Sequence, residues 1–201
     1  VCNTVSGKAF DSGRFLDKQK DGYTPVVRIR DIHSTDTESY TNEEFQSKYK
    51  IETGDLLVGM DGNFEAAFWK GEDAALNQRV LKVETTDEVK IEWVKFWFDI
   101  VLPVIHQQVP KATVKHLSVQ KHLDPSIIPI PSLSEQEQIV EALEERLQRV
   151  NRLETGLRSV RQLSREYEES IMSYLFSNTD FDSKNSAKNL PGKNDIPEDW
   201  E

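Results

Sequence analysis

The sequence predicts an α+β protein: a mixed, β-rich domain over residues 1–131, then one long projecting α-helix over residues 132–178, then a linker over residues 179–201. Three observations carry this reading. Short β-favouring runs separated by Gly, Asp and Asn fill the first 90 residues. A proline-punctuated connector, Ile127-Ile128-Pro129-Ile130-Pro131, interrupts the chain. Beyond it apolar residues recur every three or four positions, with no proline from Ser134 to Leu190.

Taken in order, Val26-Val27-Arg28-Ile29-Arg30 reads as a strand beginning after Pro25, and Leu56-Leu57-Val58 as a strand ahead of the turn cluster Gly59-Met60-Asp61-Gly62-Asn63, in which Gly59 and Gly62 shape the turn. Arg79-Val80-Leu81-Lys82-Val83 alternates polar and apolar positions, as a half-buried strand does. Glu92 to His106 reads as a helix, with Trp93, Phe96, Trp97, Ile100, Val101 and Val104 as its core-packing stripe. Phe68 and Trp69 read as core. In the connector each proline pushes its predecessor toward extended geometry. Ser134-Glu135-Gln136-Glu137 follows as a capping box, with Ser134 capping and Glu137 reaching back. From there Ile139, Leu143, Leu147, Val150, Leu153, Leu157, Val160, Leu163, Tyr167, Ile171 and Tyr174 form an apolar seam. A helix over 135–176 is roughly 60 Å long at ~1.5 Å per residue. That exceeds the width of a domain this size, so the helix is expected to pair with another as a coiled coil. The seam slips near Val150–Leu153 and Val160–Leu163, so it is not a strict heptad.

Composition narrows the function classes. The longest apolar stretch, Phe96 to Ile105, is broken by Asp99 and Pro103 and falls short of the ~20 residues that span a bilayer. No basic segment followed by an apolar one marks the chain for secretion. A single cysteine, Cys2, excludes an internal disulfide and a cysteine-based zinc site and fits a reducing cytoplasm. The net charge of −10 argues against indiscriminate binding to nucleic acid, where phosphate contacts dominate. Its distribution softens that objection. Residues 1–131 carry 16 Lys+Arg against 20 Asp+Glu, whereas residues 132–201 carry 9 against 15, so most of the excess lies in the helical third.

Catalytic signals are weak. No G-x-G occurs, and no two of the eight prolines are adjacent, so neither a glycine-rich cofactor turn nor a Pro-Pro tetrapeptide for base methylation is present. Asp87-Glu88-Val89-Lys90 superficially resembles a nuclease cluster but reads better as a solvated loop before a helix. His33, His106, His116 and His122 lack metal-ligand spacing, and no metal or cofactor is expected.

Several blocks, in order, resemble one family. Val5-Ser6-Gly7-Lys8-Ala9-Phe10, Gly54 to Phe64 and Ala75-Leu76-Asn77-Gln78-Arg79-Val80 are similar to the target recognition domain of type I restriction-modification specificity subunits. Lys111 to Leu117 and Ile128 to Val140 resemble that family's exit strand and the start of its long spacer helix. The resemblance implies a non-catalytic, cytoplasmic DNA-binding subunit that recognises double-stranded DNA and directs partner methyltransferase and restriction subunits. It also implies a full-length plan of two recognition domains and two antiparallel helices. Ile196 to Glu201 resembles the opening of a second recognition domain, so the chain reads as a piece of a longer subunit. Two other readings stay open: the recognition part of a single-chain restriction-methylation enzyme, and a coiled-coil adaptor whose head binds protein.

Within the resemblance, the expected DNA contacts are Ser6, Lys8, Asn63, Phe64, Asn77, Gln78, Arg79, Lys111, Thr113, Lys115, His116 and Lys121. Lys8 follows Gly7 in a turn where amides and an ammonium could meet a phosphate. Asn63 and Phe64 extend from a glycine-flanked turn, and Asn suits adenine. Asn77 and Gln78 fit structural hydrogen bonding better than base contact. Lys111, Thr113, Lys115, His116 and Lys121 lie in the densest basic stretch, with no acid between Asp99 and Asp124. Ile139, Leu143, Leu147, Val150, Leu157, Val160, Tyr167 and Ile171 are the expected helix-pairing residues, giving self-association, a dimer, in this half-length form.

Overall fold

Leu56, Leu57 and Val58 are each fully buried, yet they enter two different cores. Successive side chains of a strand face opposite ways. Leu56 and Val58 join one apolar cluster and Leu57 another, so their strand is covered on both faces and reads as an unbroken apolar run. In the computed structural model, which describes residues 1–110 and 114–177, the elements are β1 (Cys2–Ser6), β2 (Thr24–Val27), β3 (Tyr40–Thr41), β4 (Lys50–Ile51), β5 (Leu56–Gly59), β6 (Ala66–Phe68), β7 (Ala74–Leu76), β8 (Val80–Thr85), α1 (Ile91–Gln108) and α2 (Leu133–Ser177).

Two four-stranded sheets form, in the orders β1-β8-β5-β6 and β3-β2-β7-β4. The first is antiparallel throughout; in the second, β2 and β7 run parallel. The first sheet is the middle layer. On one face Leu56, Val58, Leu81 and Val83 meet Val94, Phe98, Leu102 and Ile105 of α1. On the other Leu57 and Val80 meet Val27, Ile51, Trp69 and Leu76. The α+β class is as expected. Trp69 is core, 1% exposed, with its indole N–H donating to the Glu72 carbonyl at 2.7 Å. Phe68 packs at the margin of the first cluster.

Several local expectations need correction. The strand expected through Arg30 ends at Val27, and Ile29–Asp31 turns as a 3₁₀ segment capped by Asp31, whose carboxylate accepts from the Arg28 N–H at 3.0 Å. The buried stripe of α1 is Val94, Phe98, Leu102 and Ile105 rather than the one expected; Ile100 is 73% and Val104 48% exposed, while Trp93, Trp97 and Val101 pack only partly. Both faces of α1 are apolar, so periodicity alone could not choose between them. Pro103 lies inside the helix without ending it. Gly59 sits within β5, and of these two glycines only Gly62 takes the left-handed turn conformation, at φ 76°. No strand includes the described residues of the expected exit strand; Leu117 N–H donates to the Met60 carbonyl at 2.7 Å, and Val119–Leu123 then forms a single π turn.

The capping box of α2 also lies two residues earlier than expected. Ser132, not Ser134, is the cap. Its N–H and hydroxyl both donate to the Glu135 carboxylate, at 3.0 and 2.7 Å, and its Oγ accepts from the Glu135 N–H at 3.4 Å. Ser134 Oγ instead accepts from Gln138. Gln136, the next residue, is fully buried. Its Oε1 accepts from the Lys90 N–H at 2.9 Å, and its Nε2 donates to the Glu88 and Pro131 carbonyls at 3.0 and 2.9 Å.

The chain divides into Val1–Glu144 and the part from Glu145 onward. In the second, as far as described, α2 carries Leu147, Val150, Leu153, Leu157, Val160, Leu163 and Tyr167, each between 49% and 69% exposed.

Candidate nucleic-acid interface

Strand register gathers segments that are far apart in sequence. Ser6, the last residue of β1, pairs with Leu81, and Gly59, the last of β5, pairs with Val80. One end of the first sheet therefore collects the chain after Ser6, the turn after Gly59 and the turn before Val80. Backbone bonds lock them together. Gly7 N–H donates to the Val80 carbonyl at 3.1 Å, Gln78 N–H to Lys8 at 2.9 Å, and Met60 N–H to Arg79 at 2.9 Å. Gly62 N–H donates to the Lys115 carbonyl at 3.1 Å, and Asp61 and His116 face each other in an isolated antiparallel bridge. Gly7 permits this closure: a Cβ there would lie 2.2 Å from the Asn77 carbonyl oxygen.

Asp61 is the hub of the side chains at this end. Its Oδ1 lies 2.6 Å from His116 Nδ1 and its Oδ2 3.5 Å from Arg79 Nε. Arg79 and His116 are each about half exposed, at 52% and 47%, so their outer edges face solvent. Asn63 is exposed at the tip of the same turn and rims an open groove of about 400 Å³ between the turn and α1. Ser6 is exposed at the end of β1.

Other expected contacts are differently employed. Phe64 is 2% exposed, holds φ 43° and meets His106 edge-to-face at 5.2 Å, so it belongs to the core and not to the expected interface. Lys8 Nζ is 3.0 Å from both Glu43 Oε2 and the Glu44 carbonyl, and lies over the Phe10 ring at 4.6 Å. This corrects the expectation of a free ammonium beside Gly7. The Asp11 N–H and the Lys8 ammonium together hold the Glu43 carboxyl below its ordinary value. Lys115 Nζ donates to the His106 carbonyl in the last turn of α1, where a cation complements the helix dipole. Asn77 and Gln78 serve the closure through their backbones; Asn77 N–H donates to Val27. Lys121 is exposed, but its flanking Val119 and Leu123 pack beside Val1, Cys2 and Thr4, toward the other end of β1. Lys111 and Thr113 lie outside the described residues, as does the expected second opening at 196–201. Among the described residues no cluster of three or more His, Cys, Asp or Glu could hold a metal ion, and no helix is long and apolar enough to cross a membrane.

Asp61 was not singled out by sequence reasoning, which read it only as a turn former. The available signal was an acid inside a segment otherwise assigned to polyanion contact.

Residues 1–160 match the type I restriction modification DNA specificity domain. The chain belongs to this family. The chain is 34% identical over 209 residues to the type I restriction enzyme EcoBI specificity subunit of Escherichia coli, a match covering all of this chain and 43% of that protein. It is 23% identical over 190 residues to the MjaVIII specificity subunit of Methanocaldococcus jannaschii, covering 92% of this chain and 42% of the relative. The chain thus spans less than half the length of these curated relatives. In fold it resembles a chain from a structure concerned with complex assembly and conformational transition of the type I R-M system, with a TM-score of 0.71 at 17% identity, covering 86% of this chain and 43% of that one. The HsdS subunit from Thermoanaerobacter tengcongensis gives 0.60 at 18% identity, covering 78% and 37%. In this family the specificity component is non-catalytic.

Proposed function

We propose that the end of the first sheet bearing Ser6, Asn63, Arg79 and His116 is the DNA-reading surface of a type I specificity subunit, and that the subunit directs partner methyltransferase and restriction subunits to their target. The observation that carries this reading is the convergence of three sequence-distant segments on one solvent-facing cluster of Asn, Arg and His. These side chains suit base edges: Arg pairs bidentately with guanine, and Asn with adenine. Phosphate contacts, which position a reader, are assigned to Ser6 at the strand end. The long apolar stripe of α2 supports a second part of the proposal. It pairs with another helix: a second copy of this chain when alone, and the second helix in proteins of the relatives' length.

The test is fluorescence anisotropy on duplex DNA at graded salt with wild type, Asn63→Ala and Arg79→Ala. Each variant is expected to lose about 1–3 kcal/mol on its preferred duplex and to relax preference at one base pair. Salt-independent binding, or unchanged affinity and preference in both variants, overturns the assignment.

A further inference from the structure

We propose that Asp61 is a positioning residue that restricts Arg79 to an end-on fork for guanine; the inference rests on the DNA-reading surface proposed above. Guanidinium can approach a base edge through Nε and one terminal nitrogen, or through its two terminal nitrogens. In this structure Nε is the guanidinium nitrogen that approaches Asp61, forming an ion pair with Oδ2 at 3.5 Å, while the side chain remains 52% exposed. An Nε held on that side leaves Nη1 and Nη2 for the base, two parallel donors matched to the O6 and N7 acceptors of guanine. The carboxylate is itself fixed from its other oxygen. His116 Nδ1 lies 2.6 Å from Oδ1, and since a carboxylate only accepts, Nδ1 carries the proton.

Two further observations favour positioning over simple support. The turn is closed by backbone bonds, Gly62 N–H to Lys115 and Leu117 N–H to Met60, which do not need the Asp61 side chain. Ion pairs this exposed contribute little to stability. A negative charge on a surface that meets phosphate is also unfavourable unless it organises the cations beside it. Asp61 sits against both exposed basic groups of the cluster and is itself only 23% exposed. A fork already ordered before binding loses less side-chain freedom on contact, and it discriminates against bases lacking the paired acceptors.

The experiment is selection of bound duplexes from a randomised 20-base-pair pool by the full chain, followed by sequencing, for wild type, Asp61→Ala, Asp61→Asn, Arg79→Ala and the Asp61→Ala/Arg79→Ala double variant. The thermal midpoint of each is measured alongside. Asp61→Ala is expected to reduce the preference for guanine at one position by roughly tenfold. Asp61→Asn, which keeps an acceptor oxygen, is expected to restore part of that preference. The double variant is expected to match Arg79→Ala alone at that position. Equal loss of affinity across all sequences, or additive effects in the double variant, overturns the positioning role. If Arg79→Ala abolishes the guanine preference and Asp61→Ala leaves it intact, the positioning role fails while the reading surface stands. If wild type selects no sequence, both fail.

Discussion

Gln136 and Lys90 are joined by one short bond, from the Lys90 N–H to Gln136 Oε1 at 2.9 Å, which fastens the first turn of α2 to the residue preceding α1. The amide completes its pairing by donating to Glu88 and Pro131, and the side chain is wholly excluded from solvent. Removing a buried partner costs about 1–3 kcal/mol per group left unsatisfied. Gln136→Ala is therefore expected to lower unfolding stability by at least that amount in urea titration, with the slope unchanged. Gln136→Glu can still accept from Lys90 but cannot donate to two carbonyls while ionised, so its deficit should shrink as the pH falls. Wild-type stability in either variant contradicts this account of the junction.

Ser132 and Glu135 give the start of α2 a pH dependence. Hydrogen bonds from the Ser132 hydroxyl and then its N–H hold the Glu135 carboxyl below its ordinary value of 4.5. A carboxyl whose pKa is lowered on folding contributes stability that is fully present above 4.5 and is lost as the pH falls through the lower folded value. The stability difference between wild type and Glu135→Gln is expected to be flat above pH 5 and to close in acid, read from thermal midpoints across pH. A difference that grows in acid reverses the sign and removes the box. Ser132→Ala should cost about 1 kcal/mol at pH 7.

The helix start shows what was legible in the sequence and what was not. Ser132-Leu133-Ser134-Glu135 and Ser134-Glu135-Gln136-Glu137 both fit the S-x-x-E pattern, so the existence of a cap was readable but not its register. The choice between them is tertiary: Gln136 must fall in the first turn to reach Glu88 and Lys90. The same holds for α1, where apolar residues on both faces left the buried stripe to be decided by contact with β5 and β8. Lys8 and Phe64 were read as exposed chemistry because Glu43, 35 residues away, and the core pocket beside His106 are long-range partners. Asp61 escaped for a similar reason, since its partners Arg79 and His116 are brought to it only by strand register. The strand at Leu56–Val58 and the α+β class, by contrast, are local consequences of pattern.

Lys8→Ala and Arg79→Ala are both expected to leave the salt dependence of DNA binding nearly unchanged, for different reasons. A cation that releases a counterion from DNA steepens the dependence of affinity on salt by about one unit per contact. Arg79→Ala removes a cation paired with Asp61 and assigned to a guanine edge rather than to phosphate, so it should relax base preference with little change in slope. Lys8→Ala removes a cation already paired with Glu43 and capped by the Glu44 carbonyl, and should leave the slope unchanged. A flattened slope for Lys8→Ala shows instead that the ammonium leaves Glu43 for phosphate.

The purified chain is expected to carry out no chemistry on DNA. Its sequence has no G-x-G turn and no adjacent prolines. Incubation with duplex DNA and labelled S-adenosylmethionine, or with ATP and magnesium, should give neither methyl incorporation nor strand breaks. Turnover that follows the chain through successive purification steps contradicts the assignment as a recognition component.

Ile139, Leu147, Val150, Leu157, Val160, Tyr167 and Ile171 are each between 40% and 69% exposed along α2. Apolar surface of this extent marks a contact site, and glutamates and arginines flanking the seam allow opposite charges to align across an antiparallel pair. Two copies of the isolated chain are therefore expected to pair through this stripe. A closed two-fold pair would make the preferred DNA two half-sites in inverted repeat at fixed spacing. Sedimentation equilibrium at tens of micromolar should return twice the mass of one chain, and a single-chain mass at that concentration refutes pairing. Leu157→Glu places a charge in the seam, where burial without a partner is costly. It should shift the equilibrium to single chains while the circular dichroism and thermal unfolding of residues 1–144 stay as in wild type. Retained pairing in Leu157→Glu moves the contact off this stripe.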